Sequence, residues 1–409
     1  TPTSSSGSPQ TEAATVRVIR SRLAVRGFKD SGKADVERYA GTSSRCSQKL
    51  VVSEAVLNRW DLCTADISKA FLQGLTYEEL AKLTGEPPRE VNFYLPASNI
   101  PLLRKLPGYE NFDPATEVLH CDKPGTGLID APRAFSLKLR QVTQNISGLM
   151  PSSVDQEMCL KHVADSRGNK RLVCIMTRHV DDLKNAGEPE VVQNVLKELE
   201  KVFGELKVNW NDFTICGVRH LQDKITKEIT LDQIHYVQNL RVIVHPQLST
   251  GQPEDFAELS LQDLYMSLLG AVAYLAHTRI DILVFVSALQ RHTSKPQLVH
   301  LKRLNKLLTW IQRNPKKLAY KKLSGEGLSA EPTRITHLKQ ISDAAFKKET
   351  EDGYSLRGAV FVRGEGLLAE ASVCKAGNNH VVDWVCKTQR HVARSTFAAE
   401  LLSAGDTAD

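Results

Sequence analysis

Two β-prone, apolar stretches of this chain run into aspartates, and that feature restricts its folding most. The stretch 62–67 carries Asp66 near its end. The run 171–177 is followed by Asp181 and Asp182 and then by Asn185-Ala186-Gly187, in the manner of a hairpin. If these strands are neighbours in one sheet, three carboxylates meet at its end. Carboxylates gathered in this way repel one another, so they generally persist where cations neutralise them. Oxygen-only ligands suit magnesium, which binds phosphate oxygens beside one or two carboxylates. Two such ions, roughly 4 Å apart, can activate an attacking hydroxyl and stabilise a leaving oxygen. An Asp-Asp pair is also ordinary turn composition, because Asp makes local hydrogen bonds there. The residues alone leave both readings open.

With 409 residues the chain has length for two or three domains. Hydrophobic residues at 41% and charged residues at 24% are near globular averages and argue against extensive disorder. A net charge of +6 suits a polyanionic partner without requiring one. No uninterrupted apolar run approaches the roughly 20 residues that span a bilayer, and no apolar signal segment follows the polar start. The expectation is a cytoplasmic or nuclear protein without membrane contact. Cys46, Cys63, Cys121, Cys159, Cys174, Cys216, Cys374 and Cys386 form no C-x-x-C pair and read as reduced thiols rather than disulfides or zinc ligands.

Residues 1–14, rich in Ser, Thr, Pro and Gly, read as a flexible lead-in. Residues 16–28 read as strands with a basic face from Arg17, Arg20, Arg22 and Arg26. A helix over 49–58 is expected to precede the strand 62–67. The irregular stretch 75–123 reads as an insertion, with a short helix opened by Tyr77-Glu78-Glu79-Leu80 and ended by Pro87-Pro88. Val191, Val195, Leu199 and Val202 recur at helical spacing. Past Pro253 helices dominate: 264–276 is strongly apolar, and Leu298, Leu301, Leu304, Leu308 and Ile311 form one stripe between Pro296 and Pro315. Lys302, Arg303, Lys306 and Arg313 occupy its other faces, as a solvated surface or a nucleic-acid contact. From about residue 330 strands return over 335–341, 356–362 and 381–385, before a final helix near Ser395.

Ala65-Asp66-Ile67-Ser68-Lys69-Ala70-Phe71-Leu72-Gln73-Gly74 resembles the first palm motif of copia-type reverse transcriptases, and His179-Val180-Asp181-Asp182 resembles their Tyr-Val-Asp-Asp box. Arg20-Ser21-Arg22-Leu23-Ala24-Val25-Arg26-Gly27-Phe28 is similar to the basic fingers motif. Gly127-Leu128-Ile129-Asp130-Ala131-Pro132-Arg133-Ala134-Phe135 is similar to the template-side motif, and Phe213-Thr214-Ile215-Cys216-Gly217 to the primer grip. Tyr265-Met266-Ser267-Leu268-Leu269-Gly270-Ala271 and His277-Thr278-Arg279-Ile280-Asp281 resemble the stretch joining polymerase to RNase H. Ile341-Ser342-Asp343-Ala344-Ala345-Phe346, Val382-Asp383-Trp384 and Arg394-Ser395-Thr396-Phe397-Ala398-Ala399-Glu400 resemble RNase H. The ordered set, from about residue 15 to the end, is far more specific than any single motif. His179 stands where Tyr is usual, Lys123-Pro124-Gly125-Thr126 departs from the commoner Leu-Tyr pair, and 75–123 is long for the family.

The resemblance implies an α+β right-hand polymerase of a retrotransposon Pol polyprotein: fingers, palm and thumb over 15–250, a helical connection over 251–330, and an RNase H-like α/β domain over 331–409. Asp66, Asp181 and Asp182 would hold two magnesium ions for RNA-directed DNA polymerisation on a primed RNA or DNA template with deoxynucleoside triphosphates. Arg20 and Arg22 would clamp the triphosphate, whose forked donors suit phosphate. Phe71 would exclude a ribose 2′-hydroxyl, and Gly127 would belong to the nucleotide-binding surface. Taken singly, the arginines read equally as an exposed strand face and Phe71 as core packing. Asp343 and Glu400 would be metal carboxylates of RNase H; the next catalytic Asp is expected beyond Asp409, so RNase H activity is not expected of this stretch. Two competing readings are a decayed or domesticated nucleic-acid-binding remnant and another two-metal phosphotransferase or nuclease.

Overall fold

Ser44 caps the first helix, α1 (Arg45–Leu57), its side chain accepting from Ser47 N, and Val51, Val52, Ala55 and Val56 make the buried face. The computed structural model describes residues 24–30, 32, 36–323, 334–345, 355–367, 378–389, 392–393 and 395–408. The expected strand over 16–28 falls outside them up to residue 23; its last two residues belong to a 3-10 turn, Gly27–Lys29, not a strand. The α1 helix starts four residues before the expected Lys49, because the cap at Ser44 sets its start.

β1 (Leu62–Ile67) follows α1. The region after it is irregular as expected: α2 (Tyr77–Thr84), closed by a Thr76–Glu79 capping box and by Gly85 at φ 77°, the short pair β2 (Asn92–Phe93) and β3 (Leu119–His120), and α3 (Ile100–Leu103). Then come α4 (Ala131–Asn145), β4 (Met150–Pro151), β5 (Met158–Ala164), β6 (Lys170–His179), β7 (Asp182–Gly187), α5 (Pro189–Phe203) and β8 (Leu206–Trp210). The main sheet has the order β4-β5-β6-β7-β1-β8. Its strands alternate between two buried faces. Cys63, Ala65, Ile67, Met176 and Leu183 pack with Phe135 and Leu139 of α4 and Val195 and Leu199 of α5. Leu62, Ile175 and Ala186 pack with α1 and with a second sheet. That sheet is made of β9 (Asp212–Ile215), β10 (Val218–Gln222), β11 (Ile229–Asp232) and β12 (Leu318–Tyr320), in the order β12-β11-β10-β9.

A helical cluster follows: α6 (Ile234–Asn239), α7 (Pro246–Thr250), α8 (Leu259–Tyr274), α9 (Leu283–Gln290) and α10 (Leu298–Arg313), joined through Leu261, Tyr265, Val272 and the α10 stripe Leu298, Leu301, Leu304, Leu308 and Ile311. The stretch Leu259–His277 is long and apolar enough to cross a membrane by length and composition. Six of its residues, Leu261, Tyr265, Leu268, Leu269, Val272 and Leu275, enter the helical core, while Leu259, Leu264 and Met266 are exposed. Finally β13 (Arg334–Ala344), β14 (Leu356–Leu367) and β15 (His380–Thr388) form an antiparallel sheet in that order, with α11 (Thr396–Ala408) against β13. Cys63, Cys159 and Cys174 are free, buried thiols; Cys374 lies outside the described residues.

Candidate active site

Register decides what the main sheet brings together. β1 pairs antiparallel with β7 so that Asp66 lies opposite Asp182, Thr64 opposite Lys184 and Leu62 opposite Ala186. Cross-strand partners share a face. Since Leu62 and Ala186 enter the cluster beneath α1, alternation puts Asp66 and Asp182 on that same side, at the strand ends. β6 returns into β7 through Val180 and Asp181, between the paired His179 and Asp182. Val180 takes φ 61°, which a β-branched residue adopts only under constraint.

Several contacts supply the constraint. Ile67 N donates to Asp181 O at 3.4 Å, and Ser43 N donates to Arg178 O at 3.0 Å. The buried Arg178 guanidinium is paired with Glu157 at 2.8 Å and donates to Gln156 O at 2.7 Å and Thr143 Oγ1 at 3.1 Å. Arg140 reaches the same Glu157 carboxylate at 3.1 Å. Breaking a buried pair of this kind strands a charge, so Glu157 and Arg178 fix the strand leading into the turn. Sequence reasoning passes over both; an arginine inside an apolar strand run is the signal that could have found them.

The electrostatics of the turn are those of crowded carboxylates. Burial pushes the Asp182 carboxyl up from its ordinary range, the charges of Asp181 and Asp66 push it further, and His179 pulls it back. Lys207 is the strand partner of Asp66 on β8, but among the described residues no lysine or arginine is ion-paired with Asp66, Asp181 or Asp182. Hard oxygen donors that no lysine or arginine pairs are of the kind a divalent, oxygen-liganded metal such as magnesium takes. Among the described residues no three His, Cys, Asp or Glu side chains form a metal-holding group.

Phe71 lies in the 3-10 turn Ala70–Gln73 just after β1, half-buried, and packs against the cluster that includes Ala65, Phe135 and Leu139. Leu75 N donates to Ala134 O at 3.3 Å, and a Cβ on Gly74 would stand 3.0 Å from Phe135 N, so this turn and α4 are held in close contact. Gly127 is at φ 99°, and a Cβ there would collide with Val25 O, while Val25 N donates to Thr126 O at 2.9 Å. The chain directly after the Arg20 and Arg22 positions is thereby joined to the Gly127 segment; Arg20 and Arg22 themselves lie outside the described residues.

In the C-terminal unit Asp343 is exposed on β13, next to Ala344, and Glu400 is half-buried on α11, next to Ala399. Ala344 and Ala399 share one small apolar cluster, and Ser403 Oγ donates to Asp343 O at 3.0 Å, so β13 and α11 bring the two acidic positions near each other. Asp406 is paired with Arg357 and Asp383 with Arg45, leaving neither free to join them.

No family model matches the chain. Among curated proteins it is similar to the Retrovirus-related Pol polyproteins from transposons RE1 and RE2 of Arabidopsis thaliana, each 23% identical over 401 residues, which cover 95% of this chain and 24% of the relative. The chain therefore spans about a quarter of the length of the curated relatives it matches. Such a match, running nearly from end to end, relates this chain to the Pol polyproteins of retrotransposons.

Proposed function

We propose that this chain is the RNA-directed DNA polymerase of a copia-type retrotransposon, with the main sheet as the palm of a right-hand polymerase. One observation carries the reading: Asp66 and Asp182 are direct cross-strand partners, with Asp181 in the constrained turn beside them. Asp66, Asp181 and Asp182 would hold two magnesium ions. When bound, these ions lower the cost of forming the nucleophilic primer 3′-hydroxylate and of releasing pyrophosphate. The chain's own share is positional. The β1–β7 register sets the spacing of the carboxylates, the Arg178–Glu157 pair holds the turn, and Phe71 stands five residues after Asp66, where the incoming sugar would pass. Arg20 and Arg22 would neutralise the triphosphate, and Gly127 would let the backbone approach it.

Asp343 and Glu400 would form part of an RNase H-like metal site, with no third described acidic residue to complete it. A second reading is a decayed element that binds nucleic acid without polymerising; in its favour, no three His, Cys, Asp or Glu side chains among the described residues form a metal-holding group. Primer extension on an RNA template separates the two. The polymerase gives elongation that needs both deoxynucleotides and magnesium, and absence of elongation alongside intact template binding overturns it in favour of the remnant.

A further inference from the structure

On α10 the residues Arg303, Lys306, Trp310 and Arg313 are all exposed, and they border two cavities that the apolar stripe on the other side of the helix does not explain. The larger, of about 730 Å³, lies between α9, α10 and Leu356 at the start of β14, with Phe285, Leu307 and Trp310 in its walls and Arg303 and Lys306 at its edge. The smaller, of about 430 Å³, shares Lys306 and Trp310 with the first and runs on to Arg313 and Val242. Together they follow α10 for roughly 15 Å, the rise of ten helical residues. No Asp or Glu lines either cavity among the described residues.

Two large aromatic side chains are left open here, Phe285 at 54% exposure and Trp310 at 41%. The Trp310 ring is backed by cations, with Arg279 at 5.4 Å and Lys316 at 5.7 Å from its centre, which hold it as a platform. Arg279 is itself buried and fixed by a two-pronged pair with Asp281, at 2.9 and 3.0 Å. Exposed rings alternating with cations along a groove are what unpaired nucleic acid requires: every base has a face to stack, and the backbone follows the positive charge. A duplex keeps its base faces covered, and an acidic peptide gains nothing from the rings.

We infer that the groove along α10 binds a single-stranded stretch of nucleic acid, its bases stacked on Phe285 and Trp310 and its phosphates on Arg303, Lys306 and Arg313. The site is separate from the carboxylates of the main sheet and does not depend on their catalytic assignment. The test uses the full chain and a labelled 12-nucleotide oligo-dT, with a blunt DNA duplex of equal length and poly-glutamate as comparison probes. Oligo-dT should bind and quench tryptophan fluorescence. Phe285→Ala and Trp310→Ala should each weaken it by roughly 5- to 160-fold, as expected for loss of one stacked base, while Trp310→Phe keeps most of the affinity. Arg303→Ala with Lys306→Ala should lower the slope of log affinity against log salt by about 1.4, two single-strand phosphate contacts.

Both aromatic positions are exposed, so unchanged melting temperatures are expected and confirm folded variants. Equal oligo-dT affinity in the wild type and both alanine variants overturns the proposal, as does equal loss of duplex binding or full competition by poly-glutamate. Asp181→Asn serves as the separating control, since it should stop primer extension and leave oligo-dT binding untouched. Loss of extension therefore tells of the main sheet, and loss of oligo-dT binding of this groove.

Discussion

Asp182 shows how a single side chain records the charge balance of the turn. Its carboxyl is raised first by burial and then by Asp181 and Asp66, so in the folded chain its charged form is disfavoured until a cation arrives. Replacing either turn aspartate by asparagine removes a metal donor and also a like-charge repulsion. Asp181→Asn and Asp182→Asn are therefore each expected to abolish magnesium-dependent extension while the melting temperature stays level or rises; extension at the wild-type rate by either variant would remove that residue from the site. Phe71 poses the opposite question, because it is half-buried against the core and also stands beside the proposed sugar path. If it gates the sugar, Phe71→Val should raise the ratio of ribonucleotide to deoxynucleotide incorporation, with a stability loss below the roughly 3 to 5 kcal/mol of removing a fully buried ring. A fall in both incorporations at constant ratio, with a large drop in melting temperature, would make Phe71 a core residue alone.

The turn between β9 and β10 is constrained by its own backbone and by a distant helix. Cys216 at φ 48° and Gly217 at φ 68° give the two successive left-handed residues of a tight hairpin. Tyr274 at the end of α8 donates its hydroxyl to Cys216 O at 2.6 Å, and a Cβ on Gly217 would collide with that hydroxyl. Gly217→Ala should accordingly destabilise by about 2 kcal/mol or more, combining left-handed strain with the collision, and Tyr274→Phe by about 1 kcal/mol. In the double variant the losses should fall short of additive, since the phenylalanine removes the nearest of the atoms the new methyl meets and leaves only the ring carbons; strict additivity in denaturant melts would show that the two residues do not touch. Much at this scale was legible in the sequence. The strand 62–67, the helix opening at Tyr77 and the α10 stripe follow from periodicity and caps, and the proximity of Asp66 to Asp181-Asp182 follows from placing two strands side by side. What periodicity could not supply was anything fixed by distant partners. Residues 24–28 read as strand, yet Gly27 has to approach Gly127 so closely that a Cβ would collide with Gly127 O, and the chain turns there. Lys49 on α1 and Lys184 on β7 are both buried, which no local pattern signals, and Lys184 reaches Gln48 O at 3.0 Å and His220 Nε2 at 3.2 Å.

Across the whole molecule the C-terminal sheet is held against α1 along β15, a contact no local pattern announces. Arg45 donates to Asp383 at 2.7 Å and stacks on Trp384 at 4.4 Å, Arg363 pairs with Glu54 at 2.7 Å, and Tyr320 donates to Val381 O at 2.5 Å. His380 sits fully buried in this seam, with Nδ1 at 2.8 Å from Ser53 Oγ and Nε2 at 2.6 Å from Lys321 O. A carbonyl can only accept, so Nε2 carries a proton, and in the neutral ring Nδ1 accepts from the serine. Burial lowers its pKa from 6.5 to about 4, the Lys321 carbonyl opposing and Arg363 reinforcing that shift. Between those two values the unfolded chain binds a proton that the folded chain refuses, so the stability His380 contributes is complete above pH 6.5 and is lost as pH falls towards 4. At most about 3.5 kcal/mol is at stake, from roughly 1.4 kcal/mol per pKa unit. Melting temperature should therefore decline from pH 7 to pH 4.5, with β15 amides losing hydrogen-exchange protection before those of β1 and β7. His380→Gln keeps a side-chain donor and an acceptor but cannot titrate, so it should start lower at pH 7 and lose less on acidification. A variant whose stability falls with pH as steeply as the wild type would place the acid-sensitive group elsewhere, with His220 and His300, also lowered by burial, as the next candidates.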